Sequence, residues 1–279
     1  MADKIKSIAA EEARKISHEV GEGIRTGTYF YPFHGIIYFL THRTLWKPLQ
    51  SRLLPTLTLG AGITSTLFFF TYVPQMAVLT LTSGPLLAPI SAAFLVLSES
   101  AALTTTLARY FLRLDAAELD VFDATLICKG HESLVADGRL LRVGSDDDPI
   151  AKLGQVIKKM PLKGGSLSLL ADFPSSLIRW LLYLPLNFVP VVGSVVFLTM
   201  QGRKIGPGRH ERYFQLKGWG EKEKGEWVER NQARYTSFGV AAFALEMIPL
   251  ASLVFSFTNT VGAALWAADI ETRLQAKKS

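Results

Sequence analysis

Two carboxylates stand out for what surrounds them. Glu246 is the only charged residue between Tyr235 and Ala268, and it lies three positions before Pro249. Glu99 follows Leu53 to Ser98, a stretch of 46 residues without Asp, Glu, Lys, Arg or His. An ionisable group at membrane depth costs on the order of 3 kcal/mol or more, so it points to a function or to a partner. Side by side, Glu99 and Glu246 would serve as proton donor and acceptor in a membrane-embedded enzyme of cyclase type. Alternatively, each caps a broken helix or pairs with an inward arginine such as Arg109 or Arg179.

A second group of residues sits where prolines break apolar runs, at Leu184-Pro185-Leu186-Asn187-Phe188-Val189-Pro190-Val191-Val192-Gly193 and at Ile248-Pro249-Leu250. Asn187, Pro190, Gly193 and Pro249 are candidates for an anion or substrate site, because unwound backbone and half-helix N-termini attract anions. The Asn187 amide would equally satisfy backbone groups that the prolines free. Just beyond, Gly202-Arg203-Lys204-Ile205-Gly206-Pro207-Gly208-Arg209-His210 reads as a basic, glycine-rich loop. Arg203, Lys204, Arg209 and His210 are candidates for binding lipid headgroups, at about 1 kcal/mol per basic residue near an anionic surface. Charge that merely sets topology is the alternative. No metal site is expected: His131-Glu132 lacks a second His, His34 and His42 are isolated, and Cys128 is the single cysteine. Ser166 and Ser168 have no evident triad partners, the glycines match no nucleotide-binding pattern, and no cofactor is expected.

Composition sets the class of molecule that must position these residues. Of 279 residues, 49% are hydrophobic and 19% charged, against about 25% charged in a typical soluble domain. About 20 apolar residues cross a bilayer, so the run from Leu53 to Ser98 marks an integral membrane protein. The net charge of +6 flanks the apolar regions, which the positive-inside bias explains without nucleic acid.

The pattern predicts an all-α membrane protein. Residues 1–28 form a polar, amphipathic segment with no cleavable signal peptide expected, 29–271 a single membrane domain, and 272–279 a basic tail. Tyr29, Tyr31, Tyr38 and Trp46 with Arg43 and Lys47 read as an interfacial belt. Two long transmembrane helices follow at about 53–73 and 86–110, joined by an apolar connection from Pro74 to the turn Thr82-Ser83-Gly84-Pro85. The polar region 111–172 opens with Leu112, Leu114, Leu119, Phe122 and Leu126 at roughly helical spacing, the pattern of an amphipathic helix on the membrane surface. Regions 173–201 and 235–268 are each split by proline into arms too short to span, predicting two hemi-penetrating hairpins. With every apolar region an out-and-back excursion, the Lys and Arg clusters at 43–52, 109–179, 203–234 and 273–278 all share one face.

Tyr31-Pro32 with Gly35, the Leu-Asn-x-x-Pro-x-x-Gly break at 186–193, and Ile248-Pro249-Leu250 ahead of a Gly/Ala-rich last helix resemble the etoposide-induced-protein/CysZ membrane domain over about residues 29–271. Within that group the chain is most similar to fungal members, including outer-spore-wall and lipid-droplet-associated proteins. The resemblance implies two long transmembrane helices and two hemi-penetrating hairpins. It leaves three activities open. The first expectation is a non-catalytic protein of the endoplasmic reticulum and lipid droplets, working through membrane lipids or partners. The second is a sulfate or anion permease, which would require a homo-oligomer. The third is the embedded enzyme using Glu99 and Glu246.

Overall fold

The computed structural model describes residues 21–23, 25–142, 148–157, 190–248 and 251–277. The described chain is mostly helical. Its elements are α1 (Tyr31–Thr41), α2 (Trp46–Phe111), α3 (Leu114–Cys128), α4 (Glu132–Ala136), β1 (Arg139–Leu141), β2 (Leu153–Val156), α5 (Pro190–Arg209), α6 (Glu211–Leu216), α7 (Glu221–Arg230), α8 (Gln232–Glu246) and α9 (Ser252–Ala276).

The long helix α2 is broken at Gly84, whose φ of 77° and ψ of 164° suit a residue without a Cβ. The arms, Arg43–Thr82 and Gly84–Phe111, are both long and apolar enough to cross a membrane. They fold back on each other: Tyr72 Oη donates to the Pro89 carbonyl at 3.3 Å, and Gln75 Nε2 donates to Glu99 at 2.8 Å. Gly60 lies opposite Thr104. The partners straddle Gly84, so the arms are antiparallel. The first arm does not end at Pro74 but stays helical to Thr82. Proline removes one hydrogen bond, whereas unwinding the segment would strip several backbone groups of partners in an apolar phase.

The remaining elements form a helical head. Its centre is α9, buried continuously from Ser256 to Ala268 and wrapped by α1, α3 and α8. Both arms expected around Pro249 are helical, as α8 and α9, and Asn259 Nδ2 donates to the Ala242 carbonyl at 3.0 Å between them. Pro249 itself and residues 158–189, including Asn187, lie outside the described residues. Two helix crossings bring backbone against backbone. At α5–α8, a Cβ on Gly206 would stand 2.1 Å from the Tyr235 carbonyl oxygen, and one on Gly239 would stand 2.1 Å from that of Gly202. At α1–α9, a Cβ on Gly35 would meet the Thr258 carbonyl oxygen at 2.2 Å.

Several expectations need correction. The segment from Gly202 to Arg209 is the end of α5, not a loop, because its glycines at i and i+4 let it press against α8. Helix α3 is not a surface helix: Val121 to Ile127 are all buried, and the Asp123 carboxylate at their centre is satisfied from within the head. Two of the six residues read as an interfacial belt bond to other parts of the head. Tyr31 donates to Asp269 at 2.6 Å and Trp46 Nε1 to the Phe39 carbonyl at 2.6 Å, so both face inward. The large apolar residues exposed on α1 are Phe33, Ile37 and Leu40, which continue Phe30 along one helical stripe. The polar region also contains a small antiparallel ribbon, β1–β2, which the all-α reading omits.

Candidate functional site

Among the described residues, the largest concentration of paired charge lies where the foot of the α2 hairpin meets the head. Arg209, the last residue of α5, is its hub. Its guanidinium approaches Glu118 on α3 at 3.3 Å, Ser256 Oγ on α9 at 3.2 Å and Thr260 Oγ1 at 3.4 Å, and it pairs with Glu246. Asn259 Nδ2 donates to Glu246 at 2.7 Å, Ser256 donates to Glu118, and Arg109 of α2 reaches Glu118 at 3.8 Å and Asp115 at 2.7 Å. The cluster thus joins five helices.

Local structure explains the assembly. Ser256, Asn259 and Thr260 are three and four residues apart on α9 and so share a face. Arg209 lies at the end of α5, a position that the helix dipole favours for a cation, and Glu118 lies just beyond the first turn of α3. Glu246 closes α8, where the dipole opposes a carboxylate, so it depends on Arg209. The side chains of Arg209, Glu118 and Glu246 are 12%, 13% and 20% exposed, which makes unpaired charge costly here. The Asn259 Oδ1 is buried without a donor, while its amide nitrogen is fully engaged.

Glu246 therefore pairs with an inward arginine, as one alternative held, and that arginine is Arg209; Arg179 lies outside the described residues. Glu99 is engaged elsewhere: it accepts from Gln75 inside the hairpin, and among the described residues no hydrogen bond joins it to Glu246. The headgroup candidates divide. Lys204 is exposed and Arg203 half-buried on α5, whereas Arg209 is locked in the cluster and His210 is buried completely. That burial removes Arg209 and His210 from any headgroup surface. Pro190 and Gly193 lie at the beginning of the described part of α5.

Sequence reasoning missed two further polar anchors. Asp123 is 0% exposed and accepts a two-pronged contact from Arg212 at 2.9 and 2.7 Å, with Arg139 at 3.3 Å. Glu271 accepts from Tyr213 at 2.7 Å and pairs with Lys217 at 3.0 Å. The signal for the first was present in Val121-Phe122-Asp123-Ala124, a lone charge in an apolar run.

His210 contacts the Ala263 carbonyl at 2.9 Å and Tyr235 Oη at 3.1 Å, with the Trp266 ring tilted against it at 4.4 Å between centroids. Burial lowers its pKa to about 4. In the unfolded chain the same imidazole takes a proton near pH 6.5, so acidification favours unfolding between that value and about 4. The slope contributed by His210 approaches ~1.4 kcal/mol per pH unit in that window. A His210→Gln variant is expected to show a shallower fall in thermal stability from pH 7 to pH 5 in detergent. An identical slope in both proteins would contradict the assignment.

An apolar hairpin on a head whose charges are paired inward defines an integral membrane protein. The chain belongs to the family described as Sulfate transporter CysZ/Etoposide-induced protein 2.4, whose model matches residues 31–256. It is similar to two outer spore wall proteins of Saccharomyces cerevisiae. The match to RRT8 is 33% identical over 85 residues, covering 30% of this chain and 25% of RRT8. The match to LDS1 is 20% identical over 243 residues, covering 87% of this chain and 70% of LDS1. These relatives agree with the fungal branch read from the sequence.

Proposed function

We propose that the protein is a membrane scaffold of the endoplasmic reticulum and lipid droplets that works through lipid or partner contacts without catalysis of its own, α2 being its anchor. The observation that carries this reading is the hairpin tip. Leu81 and Leu86 are 87% and 86% exposed, and no charge lies between Leu53 and Ser98. The Thr80 and Thr82 hydroxyls donate to the Met76 and Leu79 carbonyls, so the tip's threonines satisfy themselves without water. Such a tip is suited to end inside an apolar phase, with both feet on one aqueous face. A droplet monolayer offers that geometry, because nothing polar has to cross. The pairing of Glu246 and Glu118 with arginines supports a mechanical clamp over an acid–base pair.

Imaging of a fluorescent fusion in fungal cells loaded with fatty acid tests the reading. The natural chain is expected on droplet rims. A Leu81→Arg, Leu86→Arg variant is expected to stay in the reticulum, where a charged tip can reach water across a bilayer. A natural chain confined to bilayers would contradict the proposal. The family description favours a second reading, an anion permease using the breaks at Asn187, Pro190, Gly193 and Pro249. Sulfate uptake into proteoliposomes that an Asn187→Ala variant abolishes would support it.

A further inference from the structure

We propose that the cleft between the start of α8 and the end of α9 binds a phosphate group, carried on a lipid headgroup or free in solution. This deepens the reading of a protein that works through lipids, and it rests on that reading only for the lipid source. The cleft has a volume of about 140 Å³ and lies among Tyr31, Trp227, Trp266, Arg234, Arg273 and Lys277. Water occupies about 30 Å³ per molecule, so the space suits a small tetrahedral anion and not a drug-sized ligand of ~300 Å³ or more.

The lining carries three basic side chains and one carboxylate. Asp269 and Arg273 stand four apart on α9, the spacing at which such residues usually pair. Asp269 instead accepts a hydrogen bond from Tyr31 Oη at 2.6 Å, and within the described residues no ion pair holds Arg273, Arg234 or Lys277. Three cations thus face one carboxylate that is already engaged. Both arginines line the same cleft as the Tyr31 ring. Two guanidinium forks around one small space match the several oxygens of a phosphate. The walls are rigid: Trp266 stacks on Tyr31 at 6.0 Å, and Trp227 Nε1 donates to Tyr235 Oη at 3.1 Å. Ile270 and Leu274 supply an apolar edge against which a glycerol or acyl portion could rest.

The test is titration of the full chain in neutral detergent with dioctanoyl phosphatidic acid, with dioctanoyl phosphatidylcholine, and with inorganic phosphate as competitor. An Arg234→Gln, Arg273→Gln variant is expected to bind phosphatidic acid at least tenfold more weakly, while Arg230→Gln on the neighbouring α7 changes it less than twofold. Displacement by millimolar inorganic phosphate would support the site with free phosphate as a source. Resistance to displacement, with binding still lost in the double variant, would support it with the lipid headgroup as the source. Equal affinity of the natural chain and the double variant, or an equal loss in Arg230→Gln, would overturn it. Droplet targeting depends on α2 and is measured separately. Failure here leaves the anchoring reading standing, and failure of targeting leaves phosphate binding standing.

Discussion

Replacing Arg209 by Met is expected to destabilise the head by about 3 kcal/mol or more, the low end of what removing one partner of a buried ion pair costs. The loss falls on two carboxylates at once, because Glu246 forms no other ion pair among the described residues and Glu118 keeps only Arg109 at 3.8 Å. In a domain of this size that corresponds to a fall in melting temperature of roughly 6–12 °C. The measurement is thermal unfolding of the purified protein in mild detergent at pH 7. A second variant separates charge from packing. Arg209→Met combined with Glu246→Leu is expected to recover part of the loss, since an apolar pair leaves one fewer buried charge unanswered. If the double variant were no more stable than Arg209→Met alone, coupling between the two residues would be refuted.

Gly206→Ala is expected to be comparably damaging, although alanine is the better helix former by ~1 kcal/mol. The added methyl would stand 2.1 Å from the Tyr235 carbonyl oxygen and 2.8 Å from its carbon, so backbone must move and α5 must part from α8. Overpacking of this kind costs about 1–3 kcal/mol, occasionally more, and a clash with backbone belongs at the upper end. The net expectation is a loss of about 2 kcal/mol. Gly225→Ala on α7 is the control, because nothing lies within 4 Å of its new methyl and the helix should gain up to ~1 kcal/mol. Opposite signs for the two substitutions are the result to look for in denaturant unfolding.

These two residues also mark where the sequence was legible and where it was not. The hairpin could be read directly, since a charge-free run and the Gly84-Pro85 break carry their own meaning. Glu246 was visible for the same reason, as one charge among apolar neighbours. Its partner was not: Arg209 lies 37 positions away, and the Ser256–Glu118 contact spans 138. Such contacts are fixed by the packing of α3, α5, α8 and α9, which local pattern does not encode. Gly202 and Gly206 illustrate a subtler failure. Glycine beside Arg and Lys reads locally as loop, but at a spacing of four it is also the mark of a close helix crossing, and the tertiary contact decides. In α3, an amphipathic pattern with acidic residues reads as a solvated helix until Arg212, 89 positions away, satisfies Asp123. The aromatic residues of α1 were read by type, yet their angular position on the helix separates inward Tyr31 from outward Phe33 and Ile37.

The central claim is that the tip of α2 ends inside an apolar phase, and chemical labelling tests it most directly. A Thr82→Cys, Cys128→Ser chain in sealed microsomes, treated with a membrane-impermeant maleimide, should remain unlabelled from outside and also after the membrane is opened selectively to admit reagent to the lumen. A Gly225→Cys, Cys128→Ser chain should label from the outer face under both conditions. Labelling of residue 82 from the lumenal side alone would mean that the hairpin spans the bilayer and would contradict the account.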